Sequence, residues 1–242
     1  MAVSRLLGPL RYLVADAIAC VWYVTQPATA RRAARNHGRA AGGLPAKEAR
    51  RRARQSFRGY VRMLVDGVWL YRMPPNQILA LCEVHGRARL EAAQRGGRGG
   101  VIAMCHFGNW DLAASAGMAL GLSFTTVMAP VGPPAISNLI AWERSAHKHL
   151  ELFAPDRAAR GLVRALERGR FVGLLPDIPE GGPTVEVWFC NGPVRFSTVP
   201  AWLARLTGSP LLPVTCWRTG YASFRLQVHE PVPVTAGEDL HA

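Results

Sequence analysis

The 242-residue chain is 49 % apolar, 19 % charged and 8 % aromatic, which supplies a sizeable core and excludes a disordered chain. Lys+Arg 29 against Asp+Glu 16 gives a net charge of +13, and the excess is local. Between Arg31 and Arg62 lie eleven basic residues and one acid, Glu48, so that segment carries +10 and the other 210 residues only +3. Five cysteines, widely spaced and with no C-x-x-C pair, argue against a disulfide framework or a structural zinc site.

The N-terminal stretch 6–25 is apolar but interrupted by Pro9, Arg11 and Asp16. Its uninterrupted run, 17–24, is shorter than the roughly 20 residues a bilayer span needs. Asp16 also sits where a signal peptide would be apolar. Leu6, Leu10, Leu13, Ala17 and Cys20 fall at three- and four-residue steps, which predicts a helix with one apolar face. That face either lies in a membrane interface or packs as part of a core. Residues 31–72 predict one or two basic helices, with Phe57, Tyr60, Val61, Leu64, Val65 and Val68 at helical spacing and a wet arginine face. So basic a segment predicts contact with an anionic surface, lipid headgroups or nucleic acid.

The texture changes at Gly99. The runs 99–105, 124–129, 151–154, 171–175, 185–189, 211–217 and 224–228 read as strands. Between them 110–120, 134–150, 161–168 and 199–206 read as helices. The alternation predicts an α/β fold with a mostly parallel central sheet flanked by helices. Three segments follow: an apolar, membrane-associating helix (1–30), a basic helical segment (31–98) and an α/β core (99–242). The chain stops just after 236–239, which read as a turn into a helix start, so a truncated C-terminus is expected.

The string Met104-Cys105-His106-Phe107-Gly108-Asn109-Trp110-Asp111 carries the chemistry. A strand ends at His106, Gly108 and Asn109 turn the chain, and Asp111 falls in the first turn of a helix, where a carboxylate is favoured. Through such a corner Asp111 can fold back onto the imidazole, fix its tautomer and leave the other ring nitrogen as a base. Alternatively Asp111 is only a helix-start carboxylate and His106 a turn residue. His147 and His149 lie two apart on a helix, point away from each other and predict no metal site.

The string resembles the H-x4-D/E signature of the bacterial lipid A lauroyl/myristoyl acyltransferases and the related phosphatidylinositol mannoside acyltransferases. The similarity continues through Leu174-Leu175-Pro176-Asp177, through Val185-Glu186-Val187-Trp188-Phe189, and through 200–214. It covers roughly 100–230; the first hundred residues match only in character. The resemblance implies a glycerolipid acyltransferase-like core at the cytoplasmic face of the inner membrane. It implies transfer of a fatty acyl chain from acyl-CoA or acyl carrier protein to a hydroxyl of a membrane lipid or glycolipid, with no cofactor. His106 would be the general base, Asp111 its partner and Glu186 a further catalytic residue. Arg144, Asp177, Asn109 and Trp110 would bind substrate. Two positions depart from the pattern: Pro179 stands where many relatives carry an acid, and Thr184 where a glycine is expected.

Three other readings compete. A serine hydrolase needs a G-x-S-x-G elbow, and Ser115 lies in Ala-Ala-Ser-Ala-Gly without the first glycine. A nucleic-acid-binding module explains the arginines but not the His106–Asp111 string, and no nucleic-acid partner is expected. A non-catalytic lipid-binding relative remains the alternative to an enzyme.

Overall fold

A computed structural model describes residues 8–70, 73–130, 134–145, 148–179 and 181–234. The expected turn at 236–239 and His147 lie outside these residues. The chain divides into two compact units, Met1–Trp69 with Glu186–Val194, and Leu70–Val185 with Arg195–Ala242.

The first unit is built from three helices and the tip of a later hairpin, Glu186–Val194. Helix α1 (Gly8–Thr25) is followed by α2 (Pro27–Ala40) and α3 (Ala46–Leu70, whose last residue belongs to the second unit). Helix α2 begins with Pro27, which suits a first helical turn that has no use for its N–H. Ala15, Ala19, Ala30, Phe57 and Val61 form the core, with Trp22 and Tyr23 packed on it. Helix α1 is anchored by polar contacts as well. The buried Tyr12 hydroxyl donates to Asp66 Oδ1 at 2.6 Å, and Arg62 Nε and Nη2 donate to both oxygens of Asp16 at 2.7 and 2.6 Å. The Arg62 hydrogen bond holds the Asp16 carboxyl below its usual value against the opposing effect of burial.

Only one side of α1 is used in this packing. Tyr12, Ala15 and Ala19 are buried, while Leu10, Leu13, Val14, Ile18, Val21 and Val24 are all more than half exposed. Of the stripe drawn from the sequence, Leu6 lies outside the described residues, and Leu10, Leu13, Ala17 and Cys20 face outward. No helix among the described residues is long and apolar enough to cross a membrane.

The second unit is the α/β core. Helix α4 (Pro75–Leu81), strand β1 (Cys82–His85) and α5 (Arg87–Arg95) lead into β2 (Gly100–Ala103). Then follow α6 (Trp110–Ala119), β3 (Phe124–Val127), α7 (Pro134–Ser145), β4 (Leu150–Phe153), α8 (Ala158–Glu167) and β5 (Phe171–Leu174). A hairpin of β6 (Thr184–Trp188) and β7 (Pro193–Ser197), whose tip Glu186–Val194 belongs to the first unit, forms its own two-stranded sheet. Helix α9 (Val199–Thr207), β8 (Leu211–Arg218) and β9 (Phe224–Val228) complete it. The seven-stranded sheet runs β1-β9-β8-β2-β5-β3-β4, and only the β8–β9 pair is antiparallel.

The central strands are covered on both faces, which is why they read as unbroken apolar runs. Ile102, Phe171 and Leu212 point into one core with Leu112, Ala116 and Met118 of α6. Their neighbours Val101, Val172 and Leu211 point into another with Leu162 and Leu166 of α8 and Leu203 of α9. The mostly parallel α/β sheet expected from the sequence is the observed fold.

The structure departs from the expected elements in placement as well as in bounds. The sheet does not begin at 99: β1, inside the expected basic helical segment, is its edge strand. Cys82-Glu83-Val84-His85 pairs on one side only and carries no continuous apolar run, so its pattern is faint. The expected helix over 134–150 ends at Ser145, and Leu150 already pairs with Phe124. The expected strand 185–189 is real but stands outside the main sheet.

Candidate active site

His106 and Asp177 are brought together by strand register. β2 and β5 are parallel neighbours with Ala103 opposite Leu174, and His106 and Asp177 each lie three residues beyond that pair. Two loops therefore leave the C-terminal edge of the sheet at the same height, where α/β proteins gather their ligands. The Met104 N–H still donates to Leu174 O at 3.0 Å before the loops diverge.

The Asp177 carboxylate grips His106 twice. The His106 backbone N–H donates to Oδ2 at 2.8 Å, and the ring Nδ1 lies 2.9 Å from Oδ1. Burial raises the Asp177 carboxyl, but the His106 ring and amide outweigh it, so its pKa lies below the usual value. An ionised carboxylate only accepts, so Nδ1 must carry the ring proton, and in the neutral imidazole the lone pair is then on Nε2. Trp110 packs edge-on against the imidazole, ring centroids 4.9 Å apart and planes at 75°. The His106 side chain is 36 % exposed and Asp177 20 %, so the imidazole stays open to an incoming group.

The loop carrying His106 is pinned from behind. Gly108 has φ +69°, and a Cβ there would lie 1.8 Å from the Cys216 carbonyl oxygen. Glycine is required both for the left-handed backbone and for the close approach to β8. Next to it the Asn109 N–H donates to Cys216 O at 2.9 Å. Asn109 is buried and caps α6, its Oδ1 accepting from the Leu112 N–H at 2.9 Å.

This geometry corrects the expected dyad. Asp111 is not the carboxylate on His106. It sits in the first turn of α6 and accepts from Arg144 Nη2 on α7 at 2.7 Å, both side chains being mostly buried. The first helical turn turns the Asp111 side chain toward α7 instead of back over the loop, while Asp177 already fills the Nδ1 position. Asn109 is likewise a buried helix cap, and the Trp110 ring contacts the imidazole. Glu186 lies exposed on β6 within the other compact unit, and its side chain makes no hydrogen bond or ion pair among the described residues.

Neither neighbouring nucleophile is primed. Burial, and secondarily the Asp177 charge, push the Cys105 thiol up, so it stays neutral. The buried Ser115 hydroxyl donates to the Asp111 backbone carbonyl. Among the described residues no group of three His, Cys, Asp or Glu could hold a metal.

The fold is a mostly parallel α/β sheet with a carboxylate-held, partly exposed histidine at its C-terminal edge. The sequence profile of the bacterial lipid A biosynthesis acyltransferases matches residues 2–242, and the chain belongs to that family. A phosphatidylinositol mannoside acyltransferase of Mycobacterium tuberculosis is 32 % identical over 158 residues, 64 % of this chain and 50 % of that protein. A second, from Mycolicibacterium smegmatis, is 28 % identical over 207 residues, 84 % of this chain and 68 % of that protein. The chain thus spans about half the length of the first of these curated relatives. A 1-acyl-sn-glycerophosphate acyltransferase from Thermotoga maritima aligns over 94 % of this chain and 86 % of its own at 16 % identity, with a TM-score of 0.41.

Proposed function

We propose that this protein moves a fatty acyl chain from a thioester donor, acyl-CoA or acyl carrier protein, to a hydroxyl of a membrane glycolipid. The observation that supports it best is the His106–Asp177 pair within a chain of this family. His106 Nε2 takes the acceptor's hydroxyl proton. The oxygen then attacks the thioester carbonyl and forms the C–O bond. The tetrahedral oxyanion collapses, the C–S bond breaks, and the thiolate leaves with the proton that His106 returns. Asp177 holds the productive tautomer and stabilises the imidazolium that forms between the two transfers. Asp111 and Arg144 tie α6 to α7 and so hold the helix that begins beside His106. Glu186 enters no step.

The relatives named above make a phosphatidylinositol mannoside the first acceptor to test. Membrane attachment is supported by the outward stripe of α1. Immersing half of its six large apolar side chains is worth roughly 5–9 kcal/mol. On the same compact unit Trp188, 76 % exposed, and Phe189, 52 % exposed, are side chains suited to the bilayer interface.

The test is to incubate the purified chain with radiolabelled palmitoyl-CoA or lauroyl-acyl carrier protein and vesicles holding one acceptor at a time. Acylated product that depends on the acceptor is expected. Thioester hydrolysis at the same rate with and without acceptor, and no acylated lipid, would contradict the proposal.

A further inference from the structure

The helical unit contains a cleft of about 560 Å³ between α2 and α3, within the size range of small-molecule sites. Its floor is made of small residues. Ala30, Ala34 and Gly38 repeat every fourth position along α2 and face Ala46 and Ala49 of α3, with Tyr23 and Leu44 as further apolar walls. Side chains this short leave the helices apart where longer ones would have filled the gap. The rim is of the opposite character: Arg31, Arg35 and Arg50 border the cleft, and all three are exposed.

No carboxylate lines the cleft, and none of these three arginines makes an ion pair among the described residues. The one acid of the basic segment, Glu48, is taken by Arg51 and Arg52 at 2.7 and 3.0 Å, contacts that hold its carboxyl down at about 2. An apolar trough with three unpaired guanidiniums on its edge is complementary to one kind of molecule, an amphiphile with an anionic head. The outward stripe of α1 also ends at Val24, which lines the same cleft, so a molecule held against that stripe has an apolar path into it.

We propose that this cleft is a discrete site for one anionic phospholipid, its phosphate held by Arg31, Arg35 and Arg50 and part of an acyl chain laid along the alanine floor. The proposal rests on the reading that the protein works at a lipid surface. It goes further in assigning a one-to-one site on the helical unit, made of residues that take no part in the chemistry proposed for His106.

The test uses the full chain and dihexanoyl phosphatidylglycerol as a monomer, with dihexanoyl phosphatidylcholine and glycerol phosphate as comparisons, followed by native mass spectrometry and titration calorimetry. Gly38→Trp fills the cleft: a Cβ there meets nothing within 4 Å, and the residue is helical. The expected result is one equivalent of phosphatidylglycerol bound to the parent and lost in Gly38→Trp. Replacing Arg31, Arg35 and Arg50 together by Gln should weaken that equivalent by about tenfold or more, as loss of charge-assisted hydrogen bonds demands. Replacing Arg32, Arg58 and Arg95, an equal loss of charge outside the cleft, should not. Glycerol phosphate should bind neither protein, since the acyl chain is part of the recognition.

Equal weakening in both triple variants would mean a diffuse basic surface and overturn the site, as would unchanged stoichiometry in Gly38→Trp with its helicity retained. Binding of glycerol phosphate as tightly as the lipid would reduce the site to free phosphate and overturn the lipid assignment. The readout needs no turnover. Failure of acyl transfer by a parent that binds this equivalent would sink the catalytic proposal alone, and an active parent that binds no equivalent would sink this one alone.

Discussion

Replacing Asp177 by Asn tests the carboxylate that holds His106. The side chain keeps its shape, but its amide offers one acceptor oxygen where the carboxylate offered two, at 2.8 and 2.9 Å from the His106 amide and ring. With the oxygen on the backbone N–H, the NH₂ group faces Nδ1 and makes it an acceptor. The ring proton then moves to Nε2, the atom that must be bare. A positioned base contributes roughly 10²–10⁴-fold, so kcat should fall by that factor, about 3–5 kcal/mol in the barrier, with KM little changed. Histidine ¹⁵N NMR gives a reading free of turnover: the Nδ1-protonated tautomer in the parent, the Nε2-protonated one in Asp177→Asn. Asp111→Asn, whose partner is Arg144, should leave that spectrum as in the parent. The reasoning is refuted if Asp177→Asn keeps the parent's tautomer and rate while Asp111→Asn changes both.

Four further outcomes follow from the same contacts. Arg144→Ala removes the guanidinium hydrogen-bonded to the mostly buried Asp111 carboxylate and should cost about 3 kcal/mol in denaturant unfolding, of which a double Asp111→Leu/Arg144→Met variant recovers most. Tyr12→Phe removes the buried donor to Asp66 and should cost about 1–3 kcal/mol, seen as a lower unfolding midpoint of the helical unit. A depressed folded-state carboxyl stabilises fully above its unfolded value and loses that contribution as pH falls through the folded one. The stability gap between parent and Asp177→Asn should therefore be flat at neutral pH and close as pH drops below the ordinary 3.8. On the outward stripe of α1, Leu13→Glu with Ile18→Glu should abolish sedimentation with anionic vesicles and leave far-UV circular dichroism unchanged.

What was legible in the sequence divides along the range of the interactions. Strands covered on both faces wrote themselves as apolar runs, so β2, β3, β5, β8 and β9 stand where the pattern put them. The edge strand β1 did not, because a strand paired on one side leaves only a weak mark. His106 was legible from its turn and helix start, all local features. Its carboxylate was not, because Asp177 lies 71 residues away and arrives through the β2–β5 register. The available signal was that both residues follow a short apolar run at a similar distance. A proximity of five positions favoured Asp111, yet Asp111 belongs to a helix whose neighbour supplies Arg144. The outward face of α1 was drawn from periodicity alone, but which face turned outward depended on Tyr12, Asp16 and their partners on α3.

Whether His106 takes the acceptor's proton is read from pre-steady-state thiol release from palmitoyl-CoA with a phosphatidylinositol mannoside acceptor. Acceptor-dependent release should fall by roughly 10²–10⁴-fold or more in His106→Ala, with folding and vesicle binding retained. An active parent matched by an equally active, folded His106→Ala variant would contradict proton transfer to His106.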